Sequence, residues 1–506
     1  MLRSIIPRLG DFLFVCVFAS AMLLGQRMLN QDSDVGRHIV MGTYILQSKT
    51  IPLLDILSHT LPGARRPPYE WLAQVVLAAS NQILGLDGVV IVTAALIASA
   101  ILLSYLAARR AGALPVASFI IAVWAAAASS LHWLTRPHVF SFLFLVIWIW
   151  LLERLREEKT RSPWPTTFLM LLWANTHGGF IFGFLAWASY FAGWIWQRAH
   201  GLAEWRIGRT LFFVGLGAAL ASVVTPALWG NWTAVVANRS AYVLSRTTET
   251  LPINPALPST WPFLGLVILA LLLAIQNRRN IVPAHAILLT GLGVLGAAMA
   301  RNVPLFCVAA VPILARWATD LPRVRASSSA PDRAVFNVES QLRGGVWPLA
   351  SVALAVGLLS AQSLIRHQHE YDFDSGRFPV RAADWLATQA LQGKMFNDSN
   401  WGGYILYRLW PSQRVFVDSQ SDFYGEQFMR QYAAIIDAKE GSDELLAAYD
   451  VSWVIVGPKA PIAQSLSSDN GWSMAYDDST AMIFVRNSVS SKNPTKAGCA
   501  TCVELP

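Results

Sequence analysis

Long apolar runs recur along the chain and set the strongest limit on how it can fold. A helix needs about 20 consecutive apolar residues to cross the hydrocarbon core of a bilayer. There are about eleven runs near that length, at residues 11–29, 86–107, 113–131, 138–152, 163–175, 180–196, 210–228, 261–276, 282–299, 303–319 and 346–365. Only 14% of the residues are charged, against about a quarter in a soluble domain. We therefore predict a mainly α fold, a polytopic bundle of transmembrane helices.

Basic residues concentrate in alternate connections between these runs. If the N-terminus is cytoplasmic, the cytoplasmic connections hold eighteen Lys and Arg residues and the opposite connections nine, which is the positive-inside bias of membrane proteins. The cytoplasmic residues include Arg109, Arg110, the run at 153–161 and the linker from Arg316 to Arg343. Topology thus accounts for the formal net charge of +8. The sequence shows no basic face interleaved with aromatic residues, so it does not predict a nucleic-acid partner.

This topology predicts a membrane domain over residues 1–370, in a bacterial inner membrane, with two large outer loops at 30–85 and 229–260. The stretch 70–85 is too short and too polar for a span, so we expect it to lie along the membrane interface. Cytoplasmic connections are mostly short. The polar residues of the two outer loops are therefore the first candidates for a site.

From about Gly376 the composition becomes that of a soluble α/β domain. A helix-like segment at Val380–Leu391 is followed by strand-like runs at 414–417, 453–456 and 481–485. Because the last span exits outward, we predict a periplasmic domain over 376–487. The tail 488–506 is rich in Ser, Lys and Asn and is predicted to be disordered; its CxxC has no second pair or nearby His to complete a zinc site.

Two carboxylates, Asp32 and Asp34, follow the first membrane helix directly. Such a pair can share a divalent cation, or one carboxylate can act as a base while the other orients it. Solvated carboxylates that cap a helix are the alternative. Their position at the outer face, rather than the short DxD pattern, makes them candidates for catalysis.

Other polar residues fall on the same predicted side. Ionisable groups in or beside a membrane bundle are costly and usually face a cavity or each other, so a one-sided set predicts a site, although each residue alone could be interfacial or paired. The set contains His132, Arg136, His138, Asn175, His177, Arg239, Arg246, Glu249, Arg301 and Asn302.

The segment NTHGGF places Asn175, His177 and two glycines inside an apolar stretch. Glycines and polar groups there break or bend a helix at membrane depth, and such breaks usually line a cavity. His177 could be a metal ligand, a phosphate partner or a buried hydrogen-bonded histidine.

The arrangement resembles the GT-C glycosyltransferases, which use polyprenyl-phosphate-linked sugars. The resemblance covers most of the chain and rests on the strings DSDVGRHIVMGTYIL, IPLLD, EWLAQ, TRPHVFSFLF and LLWANTHGGFIFG. It implies an inverting transfer of a sugar from a polyprenyl-phosphate donor to a glycan, lipid or protein acceptor at the periplasmic face. Some members use a divalent ion and others none, so Mg or Mn at Asp32 and Asp34 stays open.

The resemblance also implies roles for individual residues. Asp34 or Asp32 would be the catalytic base, and Arg136, His177 and Arg301 would bind the donor phosphate. The remaining predicted substrate-binding residues are His38, Glu70, His138, Asn175, Trp401 and Tyr404.

The start of the soluble domain is similar to the extracytoplasmic domain of oligosaccharyltransferase catalytic subunits. Their Trp-Trp-Asp-Tyr-Gly motif is represented here by NWGGY at 400–404, which lacks the Asp. Asp418 and Asp422 are only positional candidates for that role. Trp401 and Tyr404 could equally pack the domain against the bundle.

Two functions of other classes compete with the transferase. Broken helices and intramembrane polar residues are also expected of a transporter or a flippase for lipid-linked glycans. A non-catalytic membrane scaffold, whose soluble domain binds a partner, is the other alternative. The absence of an internal repeat and the one-sided polar set favour catalysis at one face.

Overall fold

A computed structural model describes residues 6–159, 162–237, 240–245, 248–321, 331–342, 344–389 and 391–487. The predicted tail 488–506, with its CxxC, lies outside the described residues. The same is true of Arg239 and Arg246.

Helices make up most of the membrane part, and every predicted apolar run falls on one or more of them. Among the described residues, eight helices are long and apolar enough to cross a membrane: Trp71–Arg110, Pro115–His132, His138–Arg156, Gly178–Ala199, Trp205–Val223, Pro258–Gln276, Ala300–Thr319 and Val346–Arg366. Leu9–Leu23 and Pro283–Ala298 are apolar but shorter, as is Trp164–Thr176. The predicted polytopic helical bundle is confirmed, while the count of eleven spans stays a prediction.

Shorter helices complete the membrane part. They are Gly25–Asn30, Val35–Ser48, Gly230–Ala237, Ala241–Leu244 and Pro331–Gln341, with single 3-10 turns at Ser130–His132, Gly178–Phe180, Thr248–Thr250, Pro258–Thr260 and Ala300–Asn302.

The helix Trp71–Arg110 is kinked where the sequence predicts an interfacial segment to meet a span. Gly85 has φ 61° and ψ −152°, a conformation that side chains other than glycine rarely adopt. A Cβ on Gly85 would lie 2.9 Å from the His369 ring. Just beyond the kink, Asp87 Oδ1 accepts a hydrogen bond from Tyr371 N at 2.9 Å. The chain leaving the last membrane helix therefore crosses this kink on its way to the soluble domain.

The soluble domain is a four-stranded mixed sheet with helices around it, as the sequence predicts. The strands are β1 Lys394–Asn397, β2 Val451–Val456, β3 Trp472–Asp477 and β4 Met482–Arg486, in the order β1-β2-β4-β3. Only the β1–β2 pair is parallel. Its helices are Val380–Thr388, Gly402–Leu409, Ser421–Ile436, Ser442–Ala448 and Pro461–Ser467.

The predicted strand at 414–417 is wrong. Its backbone pairs with the first outer loop instead of the sheet: Val415 forms an isolated parallel bridge with Ser58, and Val415 N donates to Leu57 O at 3.2 Å. Phe416 N donates to the side chain of Asn397 at 2.9 Å. A side chain and a distant loop therefore use the backbone groups that a neighbouring strand would need.

Candidate active site

The two aspartates lie in a tight turn between Gly25–Asn30 and Val35–Ser48. Asp34 N donates to Asp32 Oδ1 at 3.0 Å, and Asp34 immediately precedes the second helix. Asp32 is 6% exposed and Asp34 is 3% exposed. They are therefore buried carboxylates, not the solvated helix caps that the sequence left open.

Arg136 joins three carboxylates from separate parts of the chain. Its Nε lies 3.1 Å from Asp32 Oδ2, its Nη2 2.5 Å from Asp34 Oδ2 and its Nη1 2.8 Å from Glu249 Oε2. Arg136 lies in the turn before the helix His138–Arg156, and Glu249 comes from the second large outer loop. One guanidinium thus ties both predicted outer loops to the bundle.

Asp34 is the most fully engaged of the three carboxylates. Its Oδ1 accepts hydrogen bonds from Arg37 Nε at 3.3 Å and Nη2 at 3.1 Å, and also from the Ser419 hydroxyl. Burial alone would raise the pKa of Asp34, but Arg136 and Arg37 beside it lower that pKa well below its usual value. Asp34 is therefore held ionised, and both of its carboxylate oxygens already have hydrogen-bond or ion-pair partners.

Asp32 has the opposite character. Burial raises the pKa of Asp32 to about 7, and the charge of Asp34 adds to this while Arg136 opposes it. Its Oδ2 is close to Arg136 Nε, but the two are not aligned as a hydrogen bond, and the oxygen has no other hydrogen-bond partner among the described residues. Asp32 therefore has a free acceptor position and a pKa near neutrality.

A second group forms around Glu70 at the same end of the bundle. Glu70 Oε2 lies 3.8 Å from His38 Nδ1, and Glu70 Oε1 lies 3.8 Å from His177 Nε2. Burial raises the pKa of Glu70 to about 7, against the effect of Arg37 and Arg136. Glu70 is thus an acid between two imidazoles, close to the charges around Asp34.

The second glycine of NTHGGF, Gly179, packs tightly at the break between two helices. Gly179 N donates to His177 Nδ1 at 2.9 Å, and the Ser141 hydroxyl lies 2.8 Å from the same nitrogen. A Cβ on Gly179 would come within 2.4 Å of Ser141 Oγ. Because Gly179 N and the Ser141 hydroxyl both donate to Nδ1, we assign the ring proton to Nε2, the nitrogen nearer Glu70.

Close backbone contact brings the soluble domain onto this end of the bundle. A Cβ on Gly36 would lie 2.2 Å from Gly403 O, and a Cβ on Gly403 would lie 2.0 Å from Ser33 O. The two glycines therefore allow the helix Gly402–Leu409 to pack directly on Val35–Ser48. This contact explains Gly403 of NWGGY, while Gly402 is required within the domain, where a Cβ would lie 2.3 Å from Val417 O.

Arg66 forms a buried network that the sequence analysis missed. It bonds Asp55 Oδ1 at 2.8 Å, Asp418 Oδ2 at 2.7 Å and Gln420 Oε1 at 2.8 Å. Arg37 Nη1 donates to the same Gln420 oxygen at 3.2 Å. Asp418, a positional candidate, is therefore paired with a cation of the first outer loop. A local sequence pattern could not reveal this pairing across 352 positions.

Arg301 and His132 lie at the edge of the charged group. Arg301 Nη1 is 3.8 Å from Glu249 Oε1, and its side chain is 38% exposed. His132 Nε2 is 3.6 Å from Glu249 Oε2. Of the three predicted phosphate ligands, Arg301 is thus the most accessible. Arg136 faces three carboxylates, and His177 Nε2 lies 3.8 Å from Glu70.

Several predicted substrate-binding residues are used in packing. Asn175 accepts a hydrogen bond from Trp71 Nε1 at 2.8 Å and donates to two backbone carbonyls. His138 Nε2 lies 3.2 Å from His132 O. Trp401 Nε1 donates to Arg377 O at 2.8 Å. Tyr404, which is 1% exposed, packs against Phe373 and Phe378. Their contact with substrate stays a prediction.

The predicted metal at Asp32 and Asp34 does not fit their surroundings. Among the described residues, no three His, Cys, Asp or Glu side chains are grouped as metal ligands. Both aspartates already face Arg136, which a divalent ion between them would have to displace. Metal binding stays a prediction, and we assign no chemical step to it.

No known protein-family model matches the sequence, and no curated protein is similar enough to it to serve as a relative. Solved structures do share its fold. The archaeal oligosaccharyltransferase AglB from Archaeoglobus fulgidus, in complex with an inhibitory peptide and a dolichol-phosphate, aligns with TM-score 0.56 and 12% identity, over 94% of this chain and 74% of that chain.

A second structure of the Archaeoglobus fulgidus oligosaccharyltransferase, tethered to an acceptor peptide, aligns with TM-score 0.53 and 11% identity over the same shares of both chains. ArnT from Cupriavidus metallidurans in the apo state gives TM-score 0.51 and 15% identity, over 94% of this chain and 97% of that chain. The chain therefore shares its overall fold with these oligosaccharyltransferase and ArnT structures.

Proposed function

We propose that this protein is an inverting membrane glycosyltransferase, which moves a sugar from a polyprenyl-phosphate donor to an envelope glycan, lipid or protein. The observation that carries the proposal is the charged group around Arg136, in which Asp32, Asp34 and Glu249 meet at one end of a GT-C fold. Acid and base groups of such different character at one end of a membrane bundle are typical of a catalytic site. The dolichol-phosphate bound to AglB suggests the substrate class only by analogy of fold.

Asp32 and Asp34 have different roles in this proposal. Asp32 is the better proton acceptor, because a general base works best when its pKa lies near the working pH. Asp34, held ionised by Arg37, Arg136 and Ser419, fixes the cations and orients Asp32 through the Asp34 N to Asp32 Oδ1 bond. The sequence left open which of the two aspartates is the base, and these contacts favour Asp32.

The reaction is a single displacement. The acceptor oxygen attacks the anomeric carbon while its proton passes to Asp32 Oδ2. The bond from the anomeric carbon to the phosphate oxygen breaks, and the polyprenyl phosphate leaves with the bonding electrons. The new negative charge needs cationic partners in a poorly solvated place. Arg301, exposed beside Glu249, and Arg136 are positioned to supply them.

The membrane setting follows from the same proposal. The donor's lipid tail would lie in the bilayer and its phosphate at the outer interface of a bacterial inner membrane. The soluble domain, which contacts Asp34 through Ser419, would then be periplasmic. Fusion of alkaline phosphatase after residue 487 tests this side, because the enzyme is active only in the periplasm.

Comparative mass spectrometry of lipid-linked intermediates and surface glycans tests the function. A strain without the gene should accumulate one polyprenyl-phosphate sugar and lack one modification. Wild-type protein should remove the accumulated intermediate and restore the modification. A double Asp32→Asn, Asp34→Asn variant should do neither. If the double variant restores the wild-type profile, the transferase proposal fails. A transporter would tolerate loss of a proton acceptor but not blockage of its pathway.

A further inference from the structure

A cavity of about 300 Å³ opens at the end of the bundle opposite to Asp34. The proposed transfer makes no use of it. Its lining comes from the last turns of the helix His138–Arg156 and from the segment that begins Trp164–Thr176. The lining includes the apolar Leu151 and Leu155 and the cationic Arg154, so the cavity can contact both an apolar group and an anion.

Two guanidinium groups lie against one indole ring at this cavity. Arg154 Cζ is 5.1 Å from the centroid of the Trp150 ring, and Arg110 Cζ is 5.3 Å from it. Arg110 ends the helix Trp71–Arg110, so two different helices bring their cations to the same ring. Arg154 and Trp150 line the cavity, whereas Arg110 lies over the same ring without lining it, and like charges near one ring repel each other. A cation over an exposed aromatic face gains only about 0.5–1 kcal/mol.

The repulsion is not relieved by a carboxylate in the part of the chain that the structure describes. Neither Arg110 nor Arg154 forms an ion pair with a described residue. The acid next to them in sequence, Glu153, is committed to Arg156 at 2.8 Å and to His285 at 2.5 Å. The nearby Glu157 also pairs elsewhere, with Arg156 and Lys159. Two cations at one ring beside a cavity, neither ion-paired with a described carboxylate, suit an anionic ligand.

We propose that this cavity binds the phosphate of an anionic membrane phospholipid, with Arg110 and Arg154 as its cationic partners. The ends of membrane-spanning helices lie at headgroup depth, where Trp is enriched, and basic pockets between such helices bind anionic headgroups. Leu151, Leu155 and Pro165 line the same cavity. They offer an apolar surface to the glycerol and the first methylene groups of the lipid.

Native mass spectrometry of the full chain tests the proposal. The protein is released from nanodiscs of phosphatidylcholine that contain a minor fraction of phosphatidylglycerol. Wild-type protein should retain at least one phosphatidylglycerol. A double Arg110→Gln, Arg154→Gln variant should retain at least about tenfold less, because the loss of even one charge-assisted contact contributes about that factor.

A double Arg278→Gln, Arg279→Gln variant is the matched control, because it removes two exposed arginines that follow the helix Trp261–Gln276 at the same end of the bundle. It should retain lipid as wild type does. The single Arg110→Gln variant changes an exposed side chain and keeps the test decisive if the double variant fails to insert. Equal retention by wild type and the Arg110 and Arg154 variants would overturn the proposal, as would retention of polyprenyl phosphate alone. The readout is independent of sugar transfer.

Discussion

The Ser419 hydroxyl donates a hydrogen bond to Asp34 Oδ1 across 385 positions of the sequence. Ser419 belongs to the soluble domain, and Asp34 immediately precedes the helix Val35–Ser48. The soluble domain therefore completes the hydrogen bonding of a buried carboxylate at the end of the membrane bundle. In the proposed reaction, this domain positions the site directly.

Replacing Ser419 by Ala should lower sugar transfer without unfolding the protein. The change removes one donor to Asp34 and leaves Arg37 and Arg136 in place. A hydrogen bond to a charged group contributes about 1.5–3 kcal/mol, so we expect a loss of about 10- to 100-fold. Transfer by purified, reconstituted protein measures it. Ser473→Ala is the control, because that hydroxyl bonds Asn487 on the domain surface. Equal loss in both variants would contradict a specific role for Ser419.

Asp32→Asn and Asp34→Asn should differ in their effect on stability. Loss of a general base slows a reaction by about 10²- to 10⁴-fold, so Asp32→Asn should lose about that much transfer, while Asp34→Asn should lose transfer because Asp32 and the two arginines are no longer held in place. Asp34→Asn should also lower the unfolding temperature, because it removes a charge that Arg37 and Arg136 share. Asp443→Asn, at an exposed position, controls for the substitution itself. Full activity of Asp32→Asn would exclude Asp32 as the base.

The pH dependence of transfer distinguishes the two aspartates. A carboxylate accepts a proton only when ionised, and burial raises the pKa of Asp32 to about 7. Transfer should therefore fall about tenfold per unit below pH 7 and level off above it. If Asp34 were the base, its lowered pKa would keep transfer constant down to about pH 4, near the usual aspartate pKa.

Glu70, whose pKa is also raised by burial to about 7, could produce the same profile. A Glu70→Gln variant separates the two groups. If Asp32 is responsible, the midpoint near pH 7 should persist in this variant even where the maximal rate is lower. Disappearance of the midpoint would assign the titration to Glu70.

Arg136→Gln should destabilise the protein more than any other single change at the site. It leaves Asp32, Asp34 and Glu249 buried without their shared cation, and breaking a buried ion pair costs about 3–5 kcal/mol. The stability of Arg136→Lys should lie between those of wild type and Arg136→Gln, since one ammonium keeps the charge but cannot reproduce the planar guanidinium that faces three carboxylates. Thermal unfolding in detergent measures both, with the exposed Arg198→Gln as control. Wild-type stability of Arg136→Gln would contradict the ion-pair network.

Gly36→Ala should loosen the soluble domain from the bundle. The added Cβ would lie 2.2 Å from Gly403 O, a backbone atom that cannot rotate away. We expect faster limited proteolysis after residue 366 and a parallel loss of transfer. Gly357→Ala, whose Cβ would meet nothing within 4 Å, is the matched control. Protection from proteolysis equal to wild type would show that the backbone contact is dispensable.

Local patterns in the sequence predict the helices because a membrane span is a local property of about 20 residues. They also place Asp32, Asp34, Arg136 and Glu249 on one side, since loop charge sets the topology. The partners of these residues are not local. Ser419 carries no pattern that marks it as a donor to Asp34.

Two further residues show why packing escapes a reading of the sequence. Asn175 interrupts an apolar run, which fits a substrate ligand and a structural tie equally well. The structure uses its amide to hold Trp71 Nε1 and two backbone carbonyls. Val415 has the apolar neighbours of a strand, but its partner is Ser58. In both cases the deciding contact comes from a distant segment.

Arg66 is synthesised 352 positions before Asp418, the carboxylate that its Nη2 contacts. During synthesis Arg66 therefore has only the nearby Asp55 as a carboxylate partner until the last quarter of the chain has been made. The network around Arg66 can be completed only after translation is nearly complete. A premature stop before residue 418 would leave the membrane helices in place and the charged network half built. Quality control of this protein should thus act on this network, after the membrane helices have already been inserted.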